Sequence, residues 1–273
     1  RAALGPGRPG DRNCQGAQRG PVDMTAALRT EGLSRSFGAL RAVREVSFSL
    51  ATGARHALIG PNGAGKTTLV DLLTGALPPS AGAVYLGDAD ITRLPQHERV
   101  KRGMTRTFQI TTLFPGLTVL ESVVLAVFER SGVARALHLR ARARAAEIDE
   151  ARRIIRDLRL ENDAGSTTRS LPYGKQRLVE IAVALATRPR ILLLDEPAAG
   201  IPAAESGDVF GVIAALPRDV SILFIEHDMD LVFRFAERIT VLASGSILAE
   251  GPPEQIASDP SVREVYLGEA RRA

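Results

Sequence analysis

A glycine-rich loop joins two apolar runs in the first third of the chain. Residues 60–68 have the sequence GPNGAGKTT and fit the pattern G-x-x-x-x-G-K-[ST]. Glycines let backbone N–H groups form a concave nest for phosphate oxygens, and the start of the next helix also favours anions. Lys66 can reach the β- and γ-phosphates, and the Thr67 hydroxyl can bind Mg²⁺. The loop therefore predicts a nucleoside triphosphate site lined by Gly60, Pro61, Asn62, Gly63, Ala64, Gly65, Lys66, Thr67 and Thr68.

Two adjacent carboxylates follow a second apolar run, RILLLDEP, at residues 190–197. In proteins with a phosphate-binding loop, an acidic residue at the end of such a strand helps to hold Mg²⁺. Asp195 is the candidate for this metal-binding role. Glu196 comes next and can act as the general base that polarises the attacking water. The alternative is that the strand simply ends in a polar turn. The phosphate-binding loop upstream makes this alternative weaker than a functional role.

The elements that must position these residues alternate between strand and helix. A strand over 54–59 leads into the loop, and a helix over 66–74 leaves it. The run ILLL is typical of a parallel strand that is buried on both faces. The pattern predicts an α/β core that is interrupted by a helical insertion at 111–187. Further strands are expected at 28–33, 43–50, 83–86, 104–108, 220–225 and 239–242, and further helices at 119–129, 135–158, 173–187, 203–216 and 229–236.

Composition limits the class of protein. The chain has 273 residues, of which 45% are hydrophobic, and it has one cysteine, Cys14. A single cysteine forms no internal disulfide, which favours a reducing compartment. No uncharged apolar run reaches the ~18–20 residues that a membrane-spanning helix needs. We therefore expect a protein that reaches a membrane, if at all, through a partner.

The first 23 residues differ from the rest. They are rich in Gly, Pro and Arg, lack an apolar signal-peptide core, and are followed by Met24. We expect a disordered or non-native tail there. The tail carries half of the net charge of +4. Residues 130–160 are rich in arginine but lack interleaved aromatics, so a solvated helix face is favoured over a lipid or nucleic-acid patch and no nucleic-acid partner is expected.

Three further residues lie in motifs that follow one another along the chain. Their order makes the whole pattern more specific than any one motif. Phe37 lies in SRSFGAL, Gln109 in TRTFQI and His227 in FIEHDM. With these motifs, residues 26–268 resemble the ATPase subunits of ABC transporters. The resemblance implies that Phe37 stacks on adenine and that His227 contacts the γ-phosphate. It also implies that Gln109 takes part in catalysis, senses Mg²⁺ and adjoins the membrane partner.

The segment LPYGKQ, which starts at Leu171, occupies the place of the family's LSGGQ signature. The resemblance implies that this helix N-terminus faces the ATP bound by a second ATPase subunit, which is again anion binding at a helix start. Tyr173, Gly174 and Lys175 are the candidate residues. Pro172 replaces the serine whose hydroxyl would donate to the phosphate, although proline suits a first helical turn. Pro202 also departs from the family, which often has Asp or Asn there.

Several details are similar to one branch of this family. They are TTLFPGLTVLESV after Gln109, the LPYG signature, DEPAAG, IEHDM and the ending SVREVYLGEA. The resemblance is to the LivG-type ATPase of branched-chain amino acid importers. It implies uptake of branched-chain or other hydrophobic amino acids. Urea or short-chain amide uptake is the alternative, because those importers share much of the pattern.

The resemblance also implies an architecture and partners. The fold would be a P-loop NTPase (RecA-like) parallel-sheet core with an N-terminal antiparallel β subdomain and an inserted α-helical subdomain. Partners would be a second ATPase subunit (identical or related), transmembrane permease subunits and, indirectly, a solute-binding protein. The ATPase would lie at the cytoplasmic face of the membrane with ATP and Mg²⁺. The ATPase domain would span 24–273, divided into a nucleotide-binding core (24–110 and 188–250), the helical subdomain (111–187) and a C-terminal extension (251–273).

Two other classes remain open. One is an ABC-type ATPase that acts on DNA or the ribosome, but the chain has a single cassette, no long heptad seam and no cysteine cluster. The other is a non-hydrolytic nucleotide-binding module in which Pro172 and Pro202 mark lost activity. Against this second class stand four retained residues: Lys66, Asp195, Glu196 and His227.

Overall fold

The structure of the protein is a computed structural model that describes residues 26–107, 114–132 and 141–270, and the backbone alone at 141–144 and 267–270. The expectations for the N-terminal tail, for Cys14 and for Gln109 therefore lie outside the described residues. Within the described part, no helix combines the length and the apolar character that crossing a bilayer requires.

A six-stranded sheet forms the centre of the molecule. Its order is β11-β10-β4-β9-β8-β7, and only the edge pair of β10 and β11 is antiparallel. Because the other pairs are parallel, the carboxyl ends of β4, β9 and β8 lie at one edge of the sheet. The strands are β4 (Arg55–Ile59), β7 (Met104–Arg106), β8 (Ile191–Asp195), β9 (Ser221–Ile225), β10 (Arg238–Ala243) and β11 (Ser246–Gly251).

A second sheet is antiparallel throughout. The long strand β1 pairs with three neighbours, and β6 extends the sheet from β5. This sheet comes from the N-terminal part of the chain, as the fold class expected. Its strands are β1 (Ala26–Phe37), β2 (Leu40–Val46), β3 (Ser49–Ala51), β5 (Ala81–Leu86) and β6 (Ala89–Asp90).

The helices follow the predicted alternation, with a helical insertion between β7 and β8. The helix α3 starts with a capping box, in which Thr118 and Glu121 satisfy each other's backbone N–H groups. The helices are α1 (Lys66–Thr74), α2 (Gln96–Lys101), α3 (Val119–Ser131), α4 (Ala141–Asp157), α5 (Tyr173–Leu185), α6 (Ala203–Ala214), α7 (Met229–Phe235), α8 (Pro253–Ser258) and α9 (Pro260–Ala270).

The central strands bury both faces, because side chains alternate along each strand. On β8, Leu192 and Leu194 belong to the core cluster that includes α5 and α6. Ile191 and Leu193 belong to the opposite cluster, shared with α1 and the antiparallel sheet. This arrangement explains why the apolar run in the sequence is continuous rather than alternating.

Some predicted elements differ from the observed ones. The predicted strand at 43–50 is divided into β2 and β3, which pair with different parts of β1. A helix was expected at 135–158, and the described helix is Ala141–Asp157, with 133–140 outside the described residues. The pattern also missed α2, α8, α9 and β11, which are short or depend on their tertiary neighbours.

A buried arginine connects the helix α1 to the antiparallel half of the molecule. The Arg99 guanidinium donates from Nη1 to the carbonyls of Leu72 and Leu73, at 2.8 and 2.6 Å. It also donates from Nη2 to the Thr92 carbonyl and from Nε to the Leu94 carbonyl, both at 2.9 Å. Two of these acceptors lie in the last turn of α1, where carbonyls lack helical partners. Arg99 therefore supports the helix that follows the phosphate loop.

Replacing Arg99 by alanine should lower the free energy of unfolding by roughly 3–5 kcal/mol, because several carbonyls lose their donor and a cavity remains. Urea unfolding of the parent and of Arg99→Ala measures this difference. Arg102→Ala is the matched control, because Arg102 is exposed, and it should change stability by less than about 0.5 kcal/mol. Equal stability of the two variants would contradict the structural role of Arg99.

Candidate nucleotide-binding site

The loop between β4 and α1 has the backbone of an anion-binding nest. Gly60 and Gly65 have positive φ angles of 151° and 102°. A Cβ at Gly60 would lie 2.1 Å from the Leu242 carbonyl oxygen, and one at Gly65 would lie 2.4 Å from that of Ala42. Glycine is therefore required at both positions, for conformation and for space. The strand-loop-helix context expected from the sequence is present.

Lys66 is the first residue of α1 and is buried. Its Nζ donates to the carbonyls of Gly60 and Pro61, at 2.6 and 2.9 Å. The ammonium group of Lys66 therefore lies over the phosphate loop, which immediately precedes α1. Thr67 is exposed and Thr68 is partly buried on the same first turn. The loop residues predicted to line the nucleotide are contiguous at the carboxyl edge of the sheet.

The two carboxylates lie at the end of β8 as expected. Asp195 is the last residue of the strand and Glu196 follows it. Glu196 has φ 48°, an unfavourable conformation for a residue that is not glycine. Its backbone N–H donates to the Ile225 carbonyl at 3.0 Å, which ties this turn to the neighbouring strand β9. Strained residues of this kind concentrate at functional sites.

His227 follows β9, which lies beside β8. Its Nε2 is 2.9 Å from Oε1 of Glu196. The parallel pairing of the two strands explains this contact, because both residues leave the same edge one or two positions after their strands end. The structure therefore brings together two of the residues that the sequence assigned to catalysis in separate motifs.

Glu226 is a further site residue that sequence analysis missed. It is buried between the two turns, where Oε1 accepts from the N–H of Ala198 at 2.9 Å and Oε2 accepts from the N–H of His227 at 3.1 Å. Burial raises the pKa of the Glu226 carboxyl, while these backbone donors oppose the rise. A charged residue next to a buried strand end is the only signal that the sequence offered.

A second missed residue is Arg106, at the end of β7. It forms ion pairs with Asp195 and with Asp71 of α1, at 2.5 and 2.6 Å. The sequence motif TRTFQI drew attention to the glutamine alone. The arginine could have been noticed as a charge at the end of a short strand, but its partners depend on strand order.

The remaining candidates belong to β1 and to the start of α5. Phe37 ends β1, is 46% exposed, and has the Arg35 guanidinium carbon 4.8 Å from its ring centroid. Tyr173 begins α5 and lies against Gly200, where an added Cβ would be 3.1 Å from a ring carbon. Lys175 pairs with Asp163 at 2.7 Å.

Gly174 is buried in the first turn of α5. Pro172 precedes this helix without a side-chain cap. The described neighbours of these residues are Gly200 for Tyr173, Val209, Glu205 and Ile201 for Gly174, and Asp163 for Lys175, and none of them belongs to the phosphate loop.

The donor atoms near the loop fit a magnesium ion. The Thr67 hydroxyl and the Asp195 carboxylate are hard oxygen ligands, and Mg²⁺ is usually held by one or two such groups together with substrate phosphates. Thr67 is exposed in the first turn of α1. Together, the parallel sheet, the glycine nest and the acidic strand end define a P-loop nucleotide-binding protein.

Comparison with known proteins identifies the branch of this class. The family model described as ABC transporter matches residues 43–199. A second model, described as branched-chain amino acid ATP-binding cassette transporter, matches residues 246–271. The chain therefore belongs to the ABC transporter family, as one of its ATP-binding, ATP-hydrolysing cassettes.

Individual relatives agree with this assignment. The chain is 39% identical over 251 residues to the high-affinity branched-chain amino acid transport ATP-binding protein BraF of Pseudomonas aeruginosa. It is 40% identical over 251 residues to LivG of Escherichia coli strain K12, which has the same description. Each alignment covers 89% of this chain and 98% of the relative.

Solved structures of ATP-binding cassettes share the fold. MJ1267, an ATP-binding cassette of an ABC transporter, superposes with a TM-score of 0.77 at 31% identity, covering 88% of this chain and 98% of that one. Its ADP conformation gives a TM-score of 0.76 at 31% identity, covering 89% and 99%. The predicted fold class, with its parallel core and antiparallel sheet, is confirmed.

Proposed function

We propose that this chain binds and hydrolyses ATP to power the import of branched-chain or other hydrophobic amino acids through a membrane permease. The contact between Glu196 and His227, at the sheet edge that also holds the phosphate loop, is the observation that supports hydrolysis. The match at residues 246–271 is the observation that supports the cargo class.

The chemistry follows from the positions of the side chains. Lys66 leaves its carbonyl partners to contact the β- and γ-phosphates, while Glu196 accepts a proton from the attacking water. His227 contacts the γ-phosphate and orients Glu196. Mg²⁺, held by Thr67, Asp195 and Gln109, would neutralise charge on the phosphates. Phe37 stacks on the adenine ring.

A second cassette completes the site. Tyr173, Gly174 and Lys175 of one subunit face the ATP held by the loop of the other, so that the phosphates bridge two surfaces. The N-terminus of α5 has no side-chain cap, which supports this arrangement, since backbone N–H groups and the helix dipole favour an anion without the missing serine hydroxyl. ATP closes the pair and hydrolysis opens it, which is a population shift driven by differential contacts.

The cargo is tested by uptake. Membranes that contain this cassette with the permease and solute-binding protein encoded beside it should accumulate radiolabelled leucine, isoleucine or valine at the expense of ATP. Accumulation of urea or a short-chain amide instead would favour the alternative importer class. Purification with nucleic acid or ribosomes, rather than with membrane proteins, would contradict a transport role altogether.

The permease surface is proposed at a groove beside the helical insertion. A cavity of about 340 Å³ is bordered by Thr107, Phe114, Leu125 and Ala126. Phe114 and Leu125 are 61% and 43% exposed, which is high for large apolar side chains at one place. Arg106, which pairs with Asp195, also borders the groove, so a partner seated there would adjoin the candidate nucleotide site.

Leu125→Glu should reduce permease-stimulated ATP hydrolysis at least about tenfold, because a charge in an apolar anchor site costs on the order of 2 kcal/mol of binding. Nucleotide binding by the isolated cassette should stay unchanged. Leu248→Glu is the matched control, since Leu248 is 37% exposed on β11 and does not border the groove. Equal stimulation of both variants would place the permease elsewhere.

A further inference from the structure

Arg106 connects three elements of the candidate site through its guanidinium group. Nη2 donates to Oδ2 of Asp195 at 2.5 Å, and Nη1 donates to Oδ1 of Asp71 at 2.6 Å. The three residues belong to β7, to the end of β8 and to α1, the helix that begins at the phosphate loop. We refer to Asp71, Arg106 and Asp195 as the arginine clasp.

Strand register explains how the clasp forms. Arg106 pairs with Leu193 in the parallel ladder between β7 and β8, so Asp195 lies two positions further on. Residues two apart on a strand share a face, and Leu193 faces the core cluster that α1 packs into. Asp195 therefore points to the side of the sheet that α1 covers. Asp71, on α1, binds the same guanidinium from that side.

The low exposure of these side chains and the planar guanidinium of Arg106 fix the direction of its contacts with the two carboxylates. The side chains of Arg106 and Asp195 are 11% and 8% exposed, while that of Asp71 is 33% exposed. A planar guanidinium can donate to two carboxylates at fixed angles, whereas an ammonium group is a single point charge. Charge-assisted hydrogen bonds of this length are among the stronger and better oriented contacts in proteins. Asp71 thus orients Arg106, and Arg106 in turn orients the Asp195 carboxylate.

We propose that Arg106 is a positioning residue for magnesium, which holds the Asp195 carboxylate in the orientation that the metal requires. This inference rests on the proposed function, in which Asp195 helps to bind Mg²⁺ with ATP. Groups that orient a metal ligand through hydrogen bonds commonly change metal affinity by about 10–100-fold when they are removed. Arg106 does not itself contact the substrate in this proposal.

The test measures magnesium dependence rather than turnover. A fluorescent ATP analogue is bound to the full chain, first in EDTA and then at rising Mg²⁺ concentration. Arg106→Ala should raise the Mg²⁺ concentration for half-maximal enhancement about 10–100-fold, while affinity in EDTA changes less than about twofold. Arg106→Lys should recover part of the loss, because it restores a charge beside Asp195 without the second contact.

Asp71→Asn and Arg102→Ala complete the set of variants. Asp71→Asn keeps an oxygen acceptor for Arg106 but loses the charge, so a smaller shift of the same sign is expected. Arg102 is exposed four residues earlier, and its replacement should shift nothing. Thermal unfolding of each variant identifies any that fail to fold, in which case Arg106→Lys and Asp71→Asn decide the question.

Three results would overturn the inference. An unchanged or lower Mg²⁺ requirement in folded Arg106→Ala and Arg106→Lys would mean that the arginine does not position the metal ligand. Equal losses of nucleotide affinity in EDTA and in Mg²⁺, in step with a lower unfolding temperature, would show that Arg106 has a structural role alone. If the parent chain bound no nucleotide in either condition, the proposed function would fail, and the inference with it.

Discussion

Glu196→Gln should lower the ATP hydrolysis rate by about 10²–10⁴-fold, the range that general base catalysis contributes. Glutamine keeps the size of the side chain and a hydrogen-bonding oxygen for His227, but it cannot accept the proton of the attacking water. ATP binding should therefore remain close to that of the parent. Phosphate release is measured with the assembled transporter, and ATP affinity is measured with the isolated chain.

The same variant should hold the cassette pair closed. Because the bridging phosphates persist when hydrolysis stops, the ATP-bound pair should accumulate and be visible as a larger species by sedimentation. Glu161→Gln is the matched control, since Glu161 is an exposed carboxylate in the helical insertion. If Glu196→Gln hydrolysed ATP as fast as Glu161→Gln, Glu196 would not be the base.

Lys66→Ala should weaken ATP binding by about 100-fold. Two charge-assisted hydrogen bonds to phosphate, each of at least ~1.5 kcal/mol, correspond to roughly that factor. The buried ammonium lies over the loop in contact with the Gly60 and Pro61 carbonyls, and it exchanges these contacts for phosphate oxygens when ATP binds. Isothermal titration with ATP and Mg²⁺ measures the change.

Lys101→Ala is the control for this loss of a positive charge. Lys101 ends α2 and pairs with Glu98 at 2.8 Å on an exposed surface. Its removal should leave ATP affinity within about twofold, because exposed charges contribute little at a distance in physiological salt. Similar affinities for the two variants would show that the phosphate contacts assigned to Lys66 are absent.

The phosphate loop and its helix were predictable from sequence because local chemistry determines them. Three glycines and a lysine at fixed spacing leave few other conformations, and the predicted helix at 66–74 agrees with α1. The buried strand before Asp195 was equally clear, since a continuous apolar run bounded by charges has a strong signal. The fold class followed from this alternation together with the family resemblance.

The contacts between motifs were not predictable in the same way. The pairing of Glu196 with His227 depends on β8 and β9 being neighbours, and the arginine clasp depends on the register of β7. The position of Glu226 in the site is evident only from the structure, where its carboxylate accepts hydrogen bonds from the N–H groups of both turns. Strand order and register are properties of the whole sheet, so a short stretch of sequence does not predict them.

The departures from the family pattern have a partial structural explanation. Pro172 precedes α5 with extended backbone, and the N–H groups of the first turn do not depend on a side-chain cap. Pro202 stands in the corresponding place before α6. Both prolines thus occupy the N-cap position, immediately before the first residue of a helix.

Coupled transport is the most direct measurement. Vesicles containing the complete transporter, with ATP on the side of the cassettes, are supplied with radiolabelled leucine and the solute-binding protein on the other side. Uptake should proceed with the parent chain and with Glu161→Gln, and should stop with Glu196→Gln although the complex assembles. Uptake that continued undiminished with Glu196→Gln would contradict the proposal that hydrolysis at this site drives import.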